Sequence, residues 1–429
     1  MSHLLKTISV FWFRRDLRIE DNTALHAALN SEHPVLPLFI FDKNILDELL
    51  CDDSRVQFIH TCLKNIDYEL KKYNSGVLCL HGKPVDIWQA LLKKYIIKDV
   101  YLNKDYEPYA LKRDRKIVEI LKSHGIGFHT YKDHVIFEEN EVLKDDGKPY
   151  TIFTPYKNKW LSRFQSTKIK TNTHLNFENL FPFDSHFPTL KTIGFNDLGA
   201  PVVLYNLLKV NDYDKNRDIP SLDATSFLGP HLRFGTVSIR KIVQQTTNEV
   251  FLSELIWREF FQQILFHFPH VQLNNFRKKY DNIVWRNNEV EFALWCKGKT
   301  GYPLVDAGMR QLNSTGYMHN RVRMVAAGFL CKHLLIDWRW GEAYFAKKLL
   351  DYELASNNGN WQWAAGTGCD AAPYFRVFNP TEQLKKFDKS LEYVKRWIPE
   401  FETLEYPPPI VNHDFARKRA IERYKTALQ

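Results

Sequence analysis

Glu254, Trp257, Arg258 and Phe261 stand at i, i+3, i+4 and i+7 within an apolar stretch, Phe251–Phe268, that reads as a helix. One face of that helix would present a carboxylate, an indole and a guanidinium together. A second stripe, Asn320, Arg323, Met324 and Ala327, falls on a helix read over Met318–Leu335. An amide, a guanidinium and a thioether on one face of an apolar helix suit a polar-lined pocket, and helical domains keep cofactors in such pockets. A lone Arg–Glu pair joining two helices would account for the same charges without a ligand, because buried charges are paired.

The stretch Asp351–Pro380, DYELASNNGNWQWAAGTGCDAAPYFRVFNP, concentrates amides, glycines and aromatics. Trp361 and Trp363 are two residues apart, so on a helix they diverge by about 200° and look to different sides. Asn357, Asn358 and Gly359 suit a sharp turn or a close approach of backbone to a bound group, and are read as a break between helices. The segment fits a large flat ligand; a packed helical core with a tight turn would give the same composition. Thr225 and Ser226 precede a helix-like run, TSFLGPHLRFGTVSIR, where hydroxyls and backbone N–H groups could take up a pyrophosphate. An ordinary helix cap explains them equally well.

These residues need elements to position them. Thr7–Phe13, Val35–Asp42, Gly76–Gly82 and Asp99–Asn103 are apolar runs of strand length, alternating with helix-patterned stretches over Phe58–Tyr73 and Asp86–Lys94. A capped helix starts at Asp21 or Asn22. That alternation predicts an α/β domain over residues 1–131, with a parallel, doubly wound, Rossmann-like sheet covered on both faces. The loops FRRDLR, HGKP and NKDYEP leave the carboxyl ends of its strands, where such sheets bind ligands. A dinucleotide fingerprint is missing around Gly125 and Gly127, and GKTG at Gly298 lacks the first glycine of a phosphate loop. Residues 132–200 read as a long linker, although Lys148–Trp160 is aromatic enough to pack. Residues 201–429 read as an all-α domain, with further helices over Tyr302–Leu312 and Gly341–Leu350 and a break at Asn313–Gly316.

Composition divides along the same line. Residues 1–200 carry 28 Lys and Arg against 26 Asp and Glu, whereas 201–429 carry 31 against 24. Eight of the 11 tryptophans lie beyond residue 250. A basic, Trp-rich half is the composition expected of a partner for nucleic acid, since phosphates need cations and unstacked bases need rings. The six cysteines are scattered without metal-ligand spacing, so no metal site and no disulfide framework are expected. With no signal peptide and no apolar run of membrane length, a cytoplasmic monomer without membrane association is expected.

The motifs ELIWREF, GKTGYPLVDAGMRQLNSTGYMHNRVRM, LLIDWRWGE, NNGNWQWAAGTGCDAAPYFRVFNP and EQLKKF run in order from Glu254 to Phe387. Together they resemble the FAD-binding domain of the photolyase/cryptochrome family. FWFRRDLRIEDNTAL near the start is similar to the family's opening signature, so the likeness covers essentially the whole chain. MHNRVRM and WQW resemble class I cyclobutane pyrimidine dimer photolyases. The resemblance implies light-driven repair of pyrimidine dimers in UV-damaged DNA by electron transfer from excited reduced FAD.

The same resemblance assigns residues. Tyr213, Thr225, Ser226, Phe227, Leu228 and the backbone at Gly229 match positions that hold the flavin's diphosphate and ribityl parts. Arg323 and Asp351 match an ion pair beside the isoalloxazine, with Glu353 close by, and Asn357 matches the residue facing flavin N5. Trp361, Trp338 and Trp285 match a chain that passes electrons from the surface. Arg217, Glu254, Trp257, Arg258, Phe261, Asn320, Arg321 and Gln383 match DNA or lesion contacts, with Trp363 and Met324 as further walls of the lesion pocket. The family usually has Ser where this chain has Gly229, which removes a hydroxyl contact to the flavin. Glu107 matches a folate-contacting position, so a second antenna chromophore, methenyltetrahydrofolate or a deazaflavin, is an expectation for the α/β domain. Two rivals remain on the sequence: a cryptochrome-type blue-light receptor with the same flavin fold, and a cofactor-free single-strand-binding protein stacking bases on its tryptophans. Signalling cryptochromes often carry a long tail, whereas this sequence ends at Gln429 soon after the last motif.

Overall fold

The computed structural model describes residues 6–172, 174–199 and 202–429. The boundary expected at residues 200 and 201 lies outside them. Five parallel strands form one sheet: β1 (Thr7–Phe13), β2 (Val35–Asp42), β3 (Leu78–Gly82), β4 (Ile96–Asn103) and β5 (Gly127–Tyr131). Their spatial order is β3-β2-β1-β4-β5. Strands β2 and β3 are added on one side of β1 while β4 and β5 are added on the other, the reversal that defines a doubly wound sheet. β2 is buried along its whole length, as a strand covered on both faces must be. Val10 pairs in register with Leu36 and Trp12 with Leu38, so these side chains line one face together. Strand β5 is not predicted by hydrophobic periodicity. It is one of two half-exposed edge strands, and its sequence, GFHTY, offers no continuous apolar run, whereas the other edge, β3, opens with Leu78, Cys79 and Leu80.

The contact pattern divides the chain into two units that interleave in sequence. The sheet unit comprises Met1–Glu138, Phe164–Tyr205 and Phe227–Gln245; the helical unit comprises Glu139–Arg163, Asn206–Ser226 and Thr246–Gln429. Residues 132–200 are thus shared between the two, and Phe227–Gln245 group with the sheet. In the sheet unit, Asn22 caps the Thr23–Leu29 helix, its side chain accepting from Leu25 N–H at 3.1 Å.

The helical unit is built on Glu249–His267, Pro303–Thr315, Asn320–Gly328, Trp338–Lys348 and Leu354–Ala365. The helix expected over Met318–Leu335 is shorter, because Phe329–His333 widens into a π-turn and Leu335 turns into positive φ. The break expected at Asn357–Gly359 does not exist; these residues lie inside the Leu354–Ala365 helix. Their composition serves helix packing instead. A Cβ at Gly359 would stand 2.1 Å from the Phe261 ring, so the glycine lets two helices meet at that point. Asn358 is buried and donates to the Val271 carbonyl and to Glu342. The Lys148–Trp160 stretch does pack: Phe153, Tyr156 and Trp160 are buried, on a helix over Phe153–Ser166. Among the described residues, no helix is long and apolar enough to cross a membrane.

Candidate active site

The helical unit contains a cleft of about 610 Å³, counting the solvent space at its mouth. The Asn320–Gly328 helix lines one wall with Asn320, Arg323, Met324 and Ala327, the stripe anticipated from their spacing. The opposite wall comes from Asp351, Glu353, Asn357, Trp361 and Trp363. Both tryptophans therefore reach the cleft, although they differ in depth. Trp361 is buried against Phe345 and Trp295, with ring centroids at 5.0 and 6.1 Å, while Trp363 is half-buried.

Arg323 donates to Asp351 Oδ2 at 2.9 Å and to the Met318 carbonyl at 2.7 Å. Burial opposes the guanidinium's charge, but the Asp351 carboxylate restores it and raises its pKa. Asp351 Oδ1, also buried, has no hydrogen-bond partner among the described residues. An orphaned carboxylate oxygen in a cleft wall is a receptor for a donor from a bound group, so the site fits a ring system with an N–H edge. Asn357 donates its amide nitrogen to the Glu342 carbonyl at 3.1 Å, which commits its donor side to protein and leaves its oxygen as an acceptor.

The other predicted residues are not among those lining this cleft. Trp338 is fully buried and donates to Asn275 at 2.9 Å; Trp285 is half-buried, edge-on to Tyr424 at 6.0 Å. Both pack with Trp361 in one core cluster. Arg258 is paired with Glu353 at 3.2 Å, and Gln262 donates to the same oxygen at 3.0 Å. This pair joins the Glu249–His267 helix to Glu353, at the start of the Leu354–Ala365 helix, and not to the Asn320–Gly328 helix as the sequence pairing supposed. Glu254 is paired with Arg217 at 2.6 Å; burial raises the carboxyl's pKa and Arg217 works against that rise. Arg321 binds Asp218 and lies over the Phe387 ring. Phe261 is buried beneath Gly359, and Trp257 is stacked on Phe153. Gln383 is half-buried, and its Oε1 has no hydrogen-bond partner among the described residues. Tyr213 meets Phe251 edge-on at 5.1 Å and Thr225 accepts from the Tyr317 hydroxyl at 3.2 Å. Ser226 accepts through its carbonyl from Asn206 N–H. Phe227, Leu228 and Gly229 belong to the sheet unit, where Phe227 has positive φ and begins the Leu228–Phe234 helix. Glu107, also in the sheet unit, pairs with Arg15 at 3.1 Å and Arg233 at 3.2 Å.

Glu342 was not singled out by sequence, although it stands in the LLIDWRWGE motif. Burial pushes its carboxyl up to about 7, against the lowering effect of its hydrogen bond from Asn358. A carboxyl that holds its proton more tightly when folded adds stability that is complete below its unfolded pKa of 4.5 and is lost as pH rises through about 7. This group alone should cost about 2 kcal/mol of stability between about pH 5 and pH 8. Glu342→Gln should flatten that part of the pH profile in chemical denaturation; an unchanged slope would mean that Glu342 titrates normally.

Comparison with known proteins agrees along the chain. Residues 9–174 match the family model described as DNA photolyase, and residues 251–405 the model described as the FAD binding domain of DNA photolyase. The deoxyribodipyrimidine photo-lyase of Synechococcus sp. is 36% identical, in an alignment that covers 96% of this chain and 95% of that protein. The archaeal photolyase of Sulfolobus tokodaii, solved with two FAD molecules, superposes with a TM-score of 0.86 at 36% identity, covering 98% of this chain and 100% of that one. A bacterial class III photolyase from Agrobacterium tumefaciens gives a TM-score of 0.84 at 32% identity, covering 100% and 99%.

Proposed function

This chain belongs to the DNA photolyase family, and from that premise we propose that it splits cyclobutane pyrimidine dimers in DNA under blue light, using FAD. The observation that carries the proposal is the make-up of one cleft, in which Arg323, Asp351, Asn357 and Trp361 stand with Met324 and Trp363. Residues assigned to the flavin and residues assigned to the lesion share one space. Arg323, Asp351 Oδ1 and the Asn357 amide oxygen would hold the ring system, with Tyr213, Thr225 and Ser226 assigned to the diphosphate and ribityl end. The chemistry FAD supplies when bound is donation of one electron to the dimer and recovery of that electron after the ring bonds open.

A dimer inside a duplex has to be extruded before any pocket can reach it. Trp257 and Trp363 supply apolar faces for it, Met324 an adaptable wall, and Glu254 a hydrogen-bonding carboxyl. Trp361, Trp338 and Trp285 bring electrons inward from the surface. Arg217 and Arg321 are assigned to the DNA backbone, which must compete with Glu254 and Asp218 for them. In this reading residues 1–131 serve as an antenna domain, with Glu107 at the chromophore, and residues 201–429 carry the repair chemistry.

The test is illumination of the reduced, FAD-loaded protein with an oligonucleotide holding one thymine dimer, followed by absorbance of the restored bases. Light-dependent loss of the dimer is expected. Bound FAD without any loss would favour the blue-light receptor. Glu254→Ala should lower the repair yield while FAD stays bound, read from flavin absorbance after gel filtration; release of FAD would make Glu254 a structural residue instead.

A further inference from the structure

The Trp257 indole is backed by a second ring. Phe153 lies face to face with it, centroids 3.6 Å apart and planes at 8°, while Phe260 meets it edge-on at 5.5 Å. Phe153 is buried and Trp257 half-buried. Phe153 is the first residue of the Phe153–Ser166 helix, and its N–H donates to Asp370 Oδ2 at 2.9 Å. Trp160 fastens the same helix to the Glu249–His267 helix by donating to Glu259 at 2.7 Å. Asp370 lies in the loop that follows the Leu354–Ala365 helix, seven residues after Trp363. A carboxylate in the loop beyond one aromatic wall thus holds the backbone of the residue whose ring backs the other.

We infer that Phe153, held by Asp370, is the positioning residue that presents Trp257 to an extruded pyrimidine dimer and ties its placement to Trp363. This rests on the repair reading above. An indole clamped on one face by a parallel ring has lost its rotamer freedom before the substrate arrives, so stacking on it carries a smaller ordering cost. Without Phe153 the indole keeps only its contacts with Phe260 and Phe261, and part of its ordering falls to the substrate. Stacking and ordering terms of this kind correspond to about a tenfold change in affinity.

The experiment measures dark binding of the full-length, FAD-loaded protein to two oligonucleotides, one with a single thymine dimer and one undamaged, by fluorescence anisotropy. Phe153→Leu, which keeps most of the buried volume, and Asp370→Ala should each weaken dimer binding about tenfold. Affinity for undamaged DNA and the flavin spectrum should hold, and Phe153→Tyr, which keeps the ring, should restore dimer binding. Dimer binding by Phe153→Leu as tight as wild type would overturn the inference, as would parallel loss of dimer binding, undamaged-DNA binding and flavin. A wild-type protein that does not distinguish the two oligonucleotides would overturn the repair reading along with it, whereas intact wild-type discrimination confines any failure to Phe153.

Discussion

Trp361→Phe is expected to abolish light-driven reduction of oxidised flavin while repair by chemically reduced protein survives. Trp361 is 2% exposed yet lines the cleft, so its indole bridges the site and the core. A Cβ on Gly341 would come within 2.1 Å of that ring, which leaves the indole one seat. Fully buried Trp338 belongs to the same core cluster, and half-buried Trp285 packs against that cluster. An indole gives up an electron far more readily than a benzene ring, so Phe would fill much of the volume and remove the proposed redox function. The cavity left is small, and the fold should survive with a lowered Tm. Flavin absorbance under blue light with a thiol reductant reads the first property; dimer repair after dithionite reduction reads the second. Equal loss of both would assign Trp361 to holding the flavin or lesion and remove it from the electron chain.

Arg323→Ala should destabilise the protein by about 2–3 kcal/mol and lower its FAD content. Removing one partner of a buried ion pair leaves the other charge uncompensated, a loss of about 3–5 kcal/mol when burial is complete. Here the side chains are 24% and 15% exposed through the cleft, so solvent screening reduces that figure. The remaining carboxylate is poorly placed to adjust, because Asp351 Oδ1 already lacks a partner among the described residues. Thermal unfolding and the ratio of flavin to protein absorbance measure the two effects. Lys385→Ala makes the control: its pair with Glu382 is 67% and 62% exposed and should be worth less than about 0.5 kcal/mol. A wild-type Tm and full flavin content in Arg323→Ala would take the ion pair out of the FAD site.

Four of the five strands and the stripe Asn320, Arg323, Met324 and Ala327 are legible in the sequence, because each depends on a repeat within a few neighbouring residues. β5 is hidden, since GFHTY offers no continuous apolar run, unlike the other edge strand, β3. Asn357–Gly359 misleads in a more instructive way. Two amides and a glycine favour a turn locally, but Phe261 packs where a Cβ would stand and Val271 and Glu342 take up the Asn358 amide. Contacts from other helices outweigh a preference of about 1 kcal/mol per residue.

Sequence alone therefore determined the order of the first four strands, the charged and aromatic stripes, and the family motifs that go with FAD. Tertiary structure alone decided the partners: Arg258 with Glu353, Arg217 with Glu254, Arg321 with Asp218, and Phe153 beneath Trp257. It also brought Trp361 and Trp363 to one cleft despite their divergence along the helix. The physical reason is range. Periodicity is written into adjacent residues, whereas these pairings join positions tens to about a hundred residues apart, whose meeting depends on how whole helices pack.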